Sequence, residues 1–137
     1  MRKSAFLLML FWIALFINSC ADGIISECPD DTPPTVTANF SSIQTEVFDK
    51  NCATSGCHTG NTPQSGLDLS RGKSYANIVN KEVFGLTYVK PGSPDDSYLF
   101  NKISSTNASV VMPPTGRLSQ AVIDSIRVWI ENGALNN

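Results

Sequence analysis

The clearest apolar pattern of helical period lies near the C-terminal end of the chain. Apolar side chains recur at i, i+4, i+7 and i+8 behind Ser119, a residue type that suits the N-cap of a helix. Gly133 suits the first position beyond the helix end. The pattern therefore predicts a helix from Ser119 to Asn132 with one apolar face, formed by Val122, Ile126, Trp129 and Ile130.

Two further helices and one short helical turn follow from weaker patterns. A helix is predicted from Ser41 into Cys52, with Gln44 completing a capping box. Another is predicted from Ser93, because Pro94 suits the first helical position. A short turn is predicted over residues 75–79. Gly- and Pro-rich loops separate these segments and no stretch alternates like a strand, so the fold class is predicted to be all-α, with three to four helices and long loops.

The N-terminal region has the layout of a bacterial export signal. Two basic residues precede an uncharged apolar run over residues 5–17, well short of the roughly 20 residues that span a bilayer. Residues 17–20, Ile-Asn-Ser-Cys, resemble a lipobox, which implies a signal peptide over residues 1–19, cleavage before Cys20 and a lipid on its sulfur. Ordinary cleavage near Ala21 is the alternative. With lipidation, the protein is expected to be anchored to a bacterial membrane and to face the periplasm or the cell exterior.

Residues 20–39, between this signal and the first predicted helix, are rich in Pro, Asp, Thr and Ser and lack an apolar period. They are predicted to form a flexible tether, and residues 40–137 a single small domain. Loss of Arg2 and Lys3 leaves 8 of the 10 basic residues against 12 acidic ones, a net charge of about −4 with histidine neutral. The basic residues are scattered singly, so nucleic acid is not an expected partner.

The residues with the most specific chemistry are Cys52, Cys57 and His58. Two cysteines followed directly by a histidine can attach haem covalently, because each thiol adds to a vinyl group and the imidazole then reaches the iron. The usual spacing places two residues between the cysteines, and this chain has four. His58 is the only histidine, and Met112 is the only methionine outside the signal peptide. The mature protein therefore offers one imidazole and one thioether as axial ligands of a haem iron.

The same residues permit other interpretations at this stage. Cys52 and Cys57 could form a disulfide in an exported protein, with His58 on the surface. A zinc site would need a fourth ligand besides these three residues. Met112 could be a core residue, the usual place of methionine. Cys28 has no role in these interpretations, and it is either a free thiol in the tether or a site of intermolecular pairing.

Several short segments together resemble the planctomycete-type cytochrome c domain, here within a bacterial lipoprotein. They are Phe48 four residues before Cys52, Gly66-Leu67-Asp68-Leu69, Val89–Leu99, Met112-Pro113-Pro114, Leu118-Ser119 and Trp129–Ala134. The resemblance covers about residues 40–135. It implies a small monohaem fold wrapped around one covalent haem c, with Cys52 and Cys57 as attachment residues, His58 as the proximal ligand and Met112 as the distal ligand. It also implies that the first and last helices cross, with Phe48 against Trp129.

The expected function is that of a one-electron carrier and not of an enzyme, because both axial positions of the iron are taken by protein ligands. Redox proteins are the expected partners. The alternatives are a haem-free surface lipoprotein binding module with a Cys52–Cys57 disulfide, and a gas-binding sensor from which Met112 dissociates. In the haem interpretation, Nδ1 of His58 needs a hydrogen-bond acceptor, which we expect to be a backbone carbonyl of residues 63–66.

Overall fold

Helices and long loops make up most of the computed structural model, which describes residues 36–137. The elements are helix α1 (Phe40–Ile43), a π-helix (Gln44–Cys52), a 3-10 turn (Gln64–Gly66), helix α2 (Ser74–Ile78), strands β1 (Glu82–Val83) and β2 (Leu86–Thr87), helix α3 (Tyr98–Ser104) and helix α4 (Gln120–Glu131). The predicted helix-rich domain is confirmed, and the small hairpin is an addition to it. Within residues 36–137, no helix has the length and apolar character needed to cross a membrane.

The packed domain begins before residue 40. Val36 is only 2 % exposed, and its carbonyl oxygen accepts a hydrogen bond from the Ser125 hydroxyl at 2.8 Å. The Thr37 amide donates to the Ser42 hydroxyl at 3.0 Å. Residues 36–39, which the sequence analysis assigned to the tether, are therefore part of the domain, because one buried valine among polar residues leaves no periodic signal. The predicted signal peptide and the roles of Cys20 and Cys28 lie outside the described residues.

Helix α1 is capped by Asn39 and not by Ser41. Asn39 Oδ1 accepts the Ser42 amide at 2.8 Å and the Ser41 hydroxyl at 2.9 Å. The predicted capping box is wrong, because Gln44 is buried and its side-chain amide donates instead to the Leu69 carbonyl. An asparagine at the N-cap satisfies a free amide of the first turn as well as a serine does.

The predicted run of the first helix into Cys52 is confirmed, but its second part is a π-helix. The Phe48 carbonyl accepts the Ala53 amide at 2.7 Å, five residues along the chain. Such wide turns are rare and occur mostly at functional sites. Val47 and Phe48 of this segment are each 2 % exposed.

Helix α4 begins and ends as the sequence predicts. Ser119 is its N-cap and accepts the Val122 amide at 3.4 Å, and Gly133 follows the helix with φ +93°. Ile126, Trp129 and Ile130 on its predicted apolar face are all buried. The length and regular period of this segment explain why the prediction succeeds.

Helix α3 begins at Tyr98, so the predicted start at Ser93 is wrong. Residues 93–96 form a turn in which the Ser97 hydroxyl donates to the Ser93 carbonyl at 2.8 Å and accepts the Lys90 amide at 2.9 Å. These bonds give Ser97 a loop-closing role, and the residues before it satisfy their backbone groups without a helical turn. The short helix predicted over residues 75–79 is confirmed as α2.

An aromatic cluster joins the first and last helices. The Phe40 ring lies 5.6 Å from the Trp129 ring and 6.3 Å from the Phe48 ring, measured between centroids. Trp129 is 1 % exposed, and its Nε1 donates to the Leu135 carbonyl at 2.9 Å. The ring partner of Trp129 is therefore Phe40 and not Phe48 as predicted, since the two helices meet nearer to the start of α1.

Candidate cofactor site

The segment between Cys52 and His58 folds as a closed loop. The Cys52 carbonyl accepts the His58 amide at 3.0 Å, and the Thr54 carbonyl accepts the Cys57 amide at 2.9 Å. Gly56 has φ +78° at the third position of this inner turn, a conformation that glycine adopts without strain. The four-residue spacer is therefore taken up by a tight turn, and His58 leaves the loop beside the end of the π-helix.

The backbone of His58 is held from both sides. Its amide is bonded to Cys52, and its carbonyl accepts the Leu69 amide at 2.8 Å. These two bonds tie the histidine to the π-helix on one side and to the loop before α2 on the other. The imidazole therefore has a fixed point of attachment at the wall of a cavity.

Neither ring nitrogen of His58 makes a hydrogen bond to the residues that the structure describes. Nδ1 is buried and has no hydrogen-bond partner within residues 36–137. The predicted bond to a carbonyl of residues 63–66 is wrong, because the carbonyls of Pro63 and Gln64 accept amides of their own turn. A buried ring nitrogen without a partner is uncommon, since leaving such a group unpaired costs about 1–3 kcal/mol.

The cavity beside His58 has a volume of about 200 Å³ and mostly apolar walls. It lies where the π-helix, the loop before α2, helix α3 and helix α4 meet. The lining residues are Val47, Phe48, Cys52, His58, Ser65, Leu67, Leu69, Tyr88, Tyr98, Leu99, Lys102, Ile103, Met112 and Ile126. An apolar cavity with a few polar groups in its wall is the usual form of a ligand-binding site.

Met112 lines the same cavity as His58. Its side chain is 37 % exposed, and its amide donates to the Lys102 carbonyl at 3.0 Å, which ties its loop to the last turn of α3. The next residue, Pro113, is buried and follows a cis peptide bond. The alternative in which Met112 is an ordinary core residue does not fit this partly exposed position.

Of the two predicted attachment cysteines, Cys52 lines the cavity and Cys57 precedes His58 at the end of the loop. Both thiols are free, so the disulfide of the alternative interpretation is not formed. Burial, together with the nearby Cys57, raises the pKa of the Cys52 thiol to about 12. The described residues contain no group of three or more His, Cys, Asp or Glu side chains that could hold a metal ion, and Cys52, Cys57 and His58 themselves do not form such a group.

Three polar residues of the cavity wall were not predicted from the sequence. Tyr98 and Lys102 lie four residues apart on α3 and so share one helix face, and Tyr88 lies just after β2. The spacing of Tyr98 and Lys102 could be read from the sequence. Because the helix was predicted to start at Ser93, these residues were not recognised as members of the first and second turns of α3. Nothing in the sequence around Tyr88 indicates that it lines a cavity.

Residues 55–116 match the family model described as Planctomycete cytochrome C. This match supports a planctomycete-type cytochrome c domain over those residues. The matched range includes Cys57, His58 and Met112 and begins three residues after Cys52. No curated protein and no solved structure matches the chain.

A cytochrome c domain binds haem, and the donor set of this cavity fits that group. The cavity presents an imidazole whose nitrogens make no hydrogen bond within residues 36–137, together with a partly exposed thioether and a free thiol. Imidazole and thioether are the axial ligands of many c-type cytochromes, and apolar walls suit the faces of a porphyrin. If haem is bound here, His58 and Met112 would ligate its iron, and Cys52 and Cys57 would attach the porphyrin.

Proposed function

We propose that the protein is an exported, lipid-anchored c-type cytochrome with one haem, which carries single electrons between redox proteins. The observation that carries this proposal is the meeting of His58 and Met112 at one apolar cavity in a cytochrome c domain. They are the only imidazole and the only thioether of the mature chain, so the chain supplies one axial pair and one haem.

The cysteines have the role of fixing the haem in this cavity. Each Sγ–H of Cys52 and Cys57 would add across a vinyl double bond of the haem, forming a carbon–sulfur bond and placing the hydrogen on the neighbouring vinyl carbon. No oxidant is needed for this addition. The closed loop between the cysteines then keeps His58 on one side of the porphyrin.

The axial ligands decide what the bound iron can do. A bound haem would supply one-electron chemistry between the ferric and ferrous states, with a reduced redox protein as the electron donor and an oxidised one as the acceptor. The thioether of Met112 favours the ferrous state, and His58 and Met112 together leave no position for a substrate. Leu67, Leu69 and Ile126 on the cavity walls exclude water from the porphyrin faces. These features support an electron carrier and not an enzyme.

The N-terminal sequence supports a location at a bacterial membrane. The lipobox-like residues 17–20 place a lipidated Cys20 at the start of the mature chain, with the residues that follow linking the lipid to the domain. The domain would face the periplasm or the cell exterior and would meet its redox partners there. A Cys20→Ser variant that stays in the membrane fraction would contradict this anchor.

Haem staining of the purified full-length chain after denaturing electrophoresis tests the proposed cofactor directly, because covalent haem survives this treatment. We expect a stained band, a red protein and a sharp α band on reduction. A colourless protein would support the haem-free binding module instead. Carbon monoxide binding to the reduced wild-type protein would identify a gas sensor, since a stable Met112 ligand excludes the gas.

A further inference from the structure

Among the described residues that line the cavity, Lys102 alone carries a permanent charge. The side chain of Lys102 is half-buried, and within residues 36–137 it makes no salt bridge with any Asp or Glu. Other lysines of the domain, such as Lys73 and Lys90, are paired with aspartates at 2.8 Å. Lys102 is therefore a cation at a cavity wall without a salt-bridge partner among residues 36–137.

The position of the Lys102 ammonium is restricted by its neighbours. Nζ lies 5.2 Å from the centroid of the Tyr98 ring, one helical turn earlier on α3. The backbone carbonyl of Lys102 accepts the amide of Met112 at 3.0 Å. Lys102 therefore lies on the turn of α3 to which the loop of the proposed distal ligand is tied, and its ammonium lies over the Tyr98 ring.

Two neighbouring tyrosines, Tyr88 and Tyr98, line the same cavity as Lys102. The rings of Tyr88 and Tyr98 are 6.0 Å apart, and neither hydroxyl makes a hydrogen bond to residues 36–137. In contrast, the Tyr75 hydroxyl donates to the Ala134 carbonyl at 2.9 Å. Burial raises the pKa of Tyr88, with a smaller contribution from Tyr98, so the Tyr88 hydroxyl remains a neutral donor at physiological pH.

One unpaired cation beside two unpaired hydroxyl donors matches the needs of a carboxylate. We propose that Lys102, Tyr98 and Tyr88 bind a carboxylate of the group held in this cavity, which for haem is a propionate side chain. This inference rests on the proposed haem. Haem carries its negative charges only on its two propionates, and its remaining periphery matches the apolar wall.

The proposed contact has an electrostatic consequence. A positive charge near the iron, and a hydrogen-bonded propionate whose own negative charge is offset, both favour the ferrous over the ferric state. Removal of the Lys102 charge should therefore lower the reduction potential. Loss of a merely structural contact would lower stability without this directional effect on the potential.

The test is a redox titration, followed by absorbance, of the holoprotein and three lysine variants. We expect Lys102→Gln to shift the potential downward and Lys102→Arg, which keeps the charge, to restore most of the wild-type value. Lys81→Gln is the matched control, because Lys81 is exposed, makes no salt bridge within residues 36–137 and does not line the cavity. Its potential should stay near that of the wild type.

A second measurement keeps the proposal testable if Lys102→Gln accumulates poorly. Tyr98→Phe keeps the ring under the ammonium but removes the hydroxyl, and it should shift the carboxylate bands in the redox-induced infrared difference spectrum of the holoprotein. The carboxylate site would be overturned if Lys102→Gln keeps its haem and axial absorption and has the same reduction potential as Lys81→Gln. The proposed function would remain intact in that case. A wild-type protein without haem would instead overturn the proposed function itself.

Discussion

At the scale of single residues, the candidate iron ligands stand out because each of their residue types occurs only once outside the signal peptide. His58 and Met112 could be selected from the sequence because no second histidine, and no second methionine outside the signal peptide, competes with them. The structure brings both to one cavity wall, although they are 54 positions apart in the chain. The buried but unpaired Nδ1 of His58 could not be predicted, because it depends on how the neighbouring turn uses its own carbonyls.

The proposed distal ligand gives the first prediction. Met112→Ala should abolish the weak absorbance band of a thioether-ligated ferric haem near the red end of the visible spectrum, lower the reduction potential and allow carbon monoxide to bind the reduced protein. Met112→His should keep a six-coordinate iron but lower the potential, since imidazole favours ferric iron more than thioether does. Val110→Ala, an exposed neighbour that does not line the cavity, is the control and should leave the spectrum unchanged. A Met112→Ala protein with the wild-type spectrum would rule out thioether ligation.

Asp68 gives a prediction on pH. The Lys73 ammonium at 2.8 Å, together with the hydroxyl and amide of Ser70, lowers the pKa of the Asp68 carboxyl to about 2. Because the folded-state pKa is below the unfolded value of about 3.9, the ionised carboxylate stabilises the fold above roughly pH 4, and this contribution is lost as the pH falls toward 2. Asp68→Asn should therefore lower the urea midpoint at pH 7 and flatten its dependence on pH below 4. Glu82→Gln, an exposed carboxylate without a salt bridge in residues 36–137, should change neither, and equal curves for Asp68→Asn and wild type would contradict the assignment.

At the scale of elements, the hairpin shows a local conflict between sequence and backbone. Strands β1 and β2 pair Val83 with Leu86, so Phe84 and Gly85 form a two-residue turn with φ +52° and +77°. Both positive values indicate a type I′ turn, which favours Asn-Gly, and a bulky side chain in this conformation is strained. The hairpin could not be predicted from the sequence, because two-residue strands show no alternation and Phe-Gly is not a usual turn pair.

This conflict predicts a stabilising substitution. Phe84 is 98 % exposed, so its replacement loses almost no packing. Phe84→Asn should raise the free energy of unfolding by about 1 kcal/mol, because asparagine tolerates the left-handed conformation. Phe84→Val should have the opposite sign, since a β-branched side chain is more strained at positive φ. Denaturant unfolding of both variants measures these changes in the free energy of unfolding. A destabilised Phe84→Asn protein would show that the aromatic ring contributes to the stability of the fold.

The aromatic cluster between the first and last helices predicts a large effect at Trp129. Trp129→Ala should destabilise the domain by about 3–5 kcal/mol, because it removes a fully buried ring that packs against Phe40. Trp129→Phe should cost less and mainly remove the hydrogen bond to the Leu135 carbonyl. The exposed neighbour Val128 is the control, and Val128→Ala should stay within about 0.5 kcal/mol of the wild type. If Trp129→Ala lowers the free energy of unfolding by less than Val128→Ala does, the aromatic cluster does not stabilise the domain.

The elements differ in how well the sequence predicted them, and the reason is the length of their periodic pattern. Helix α4 has three turns of regular apolar spacing, and both its ends were predicted. Helix α3 has only seven residues, so its start depended on cap signals, and Ser93 and Ser97 are equally good candidates by type. The hydrogen bonds of Ser97 to Lys90 and Ser93 settle the start, and these depend on tertiary structure.

At the scale of the whole molecule, the cavity is built by parts of the chain that are far apart in sequence. The π-helix contributes Cys52, the loop before α2 contributes His58, α3 contributes Lys102, and α4 contributes Ile126. The apolar residues of these elements could be predicted to be buried. Which of them pack in the core and which line the cavity could not be predicted. That division depends on the relative placement of four elements, which no local pattern records.

Covalent attachment at this junction gives the last prediction. Cys52→Ala and Cys57→Ala should each sharply lower the covalent haem content of the purified chain, measured per protein after acid–acetone extraction, because each removes one of the two carbon–sulfur bonds. Since the haem would contact all four elements that line the cavity, the variants should also unfold at lower denaturant concentration than the wild type. Cys28→Ser is the control, because Cys28 lies outside the cytochrome c domain and should leave the haem content unchanged. If both Cys52→Ala and Cys57→Ala retain full covalent haem, the four-residue spacer does not mark the attachment site, and the cysteines of this loop have another role.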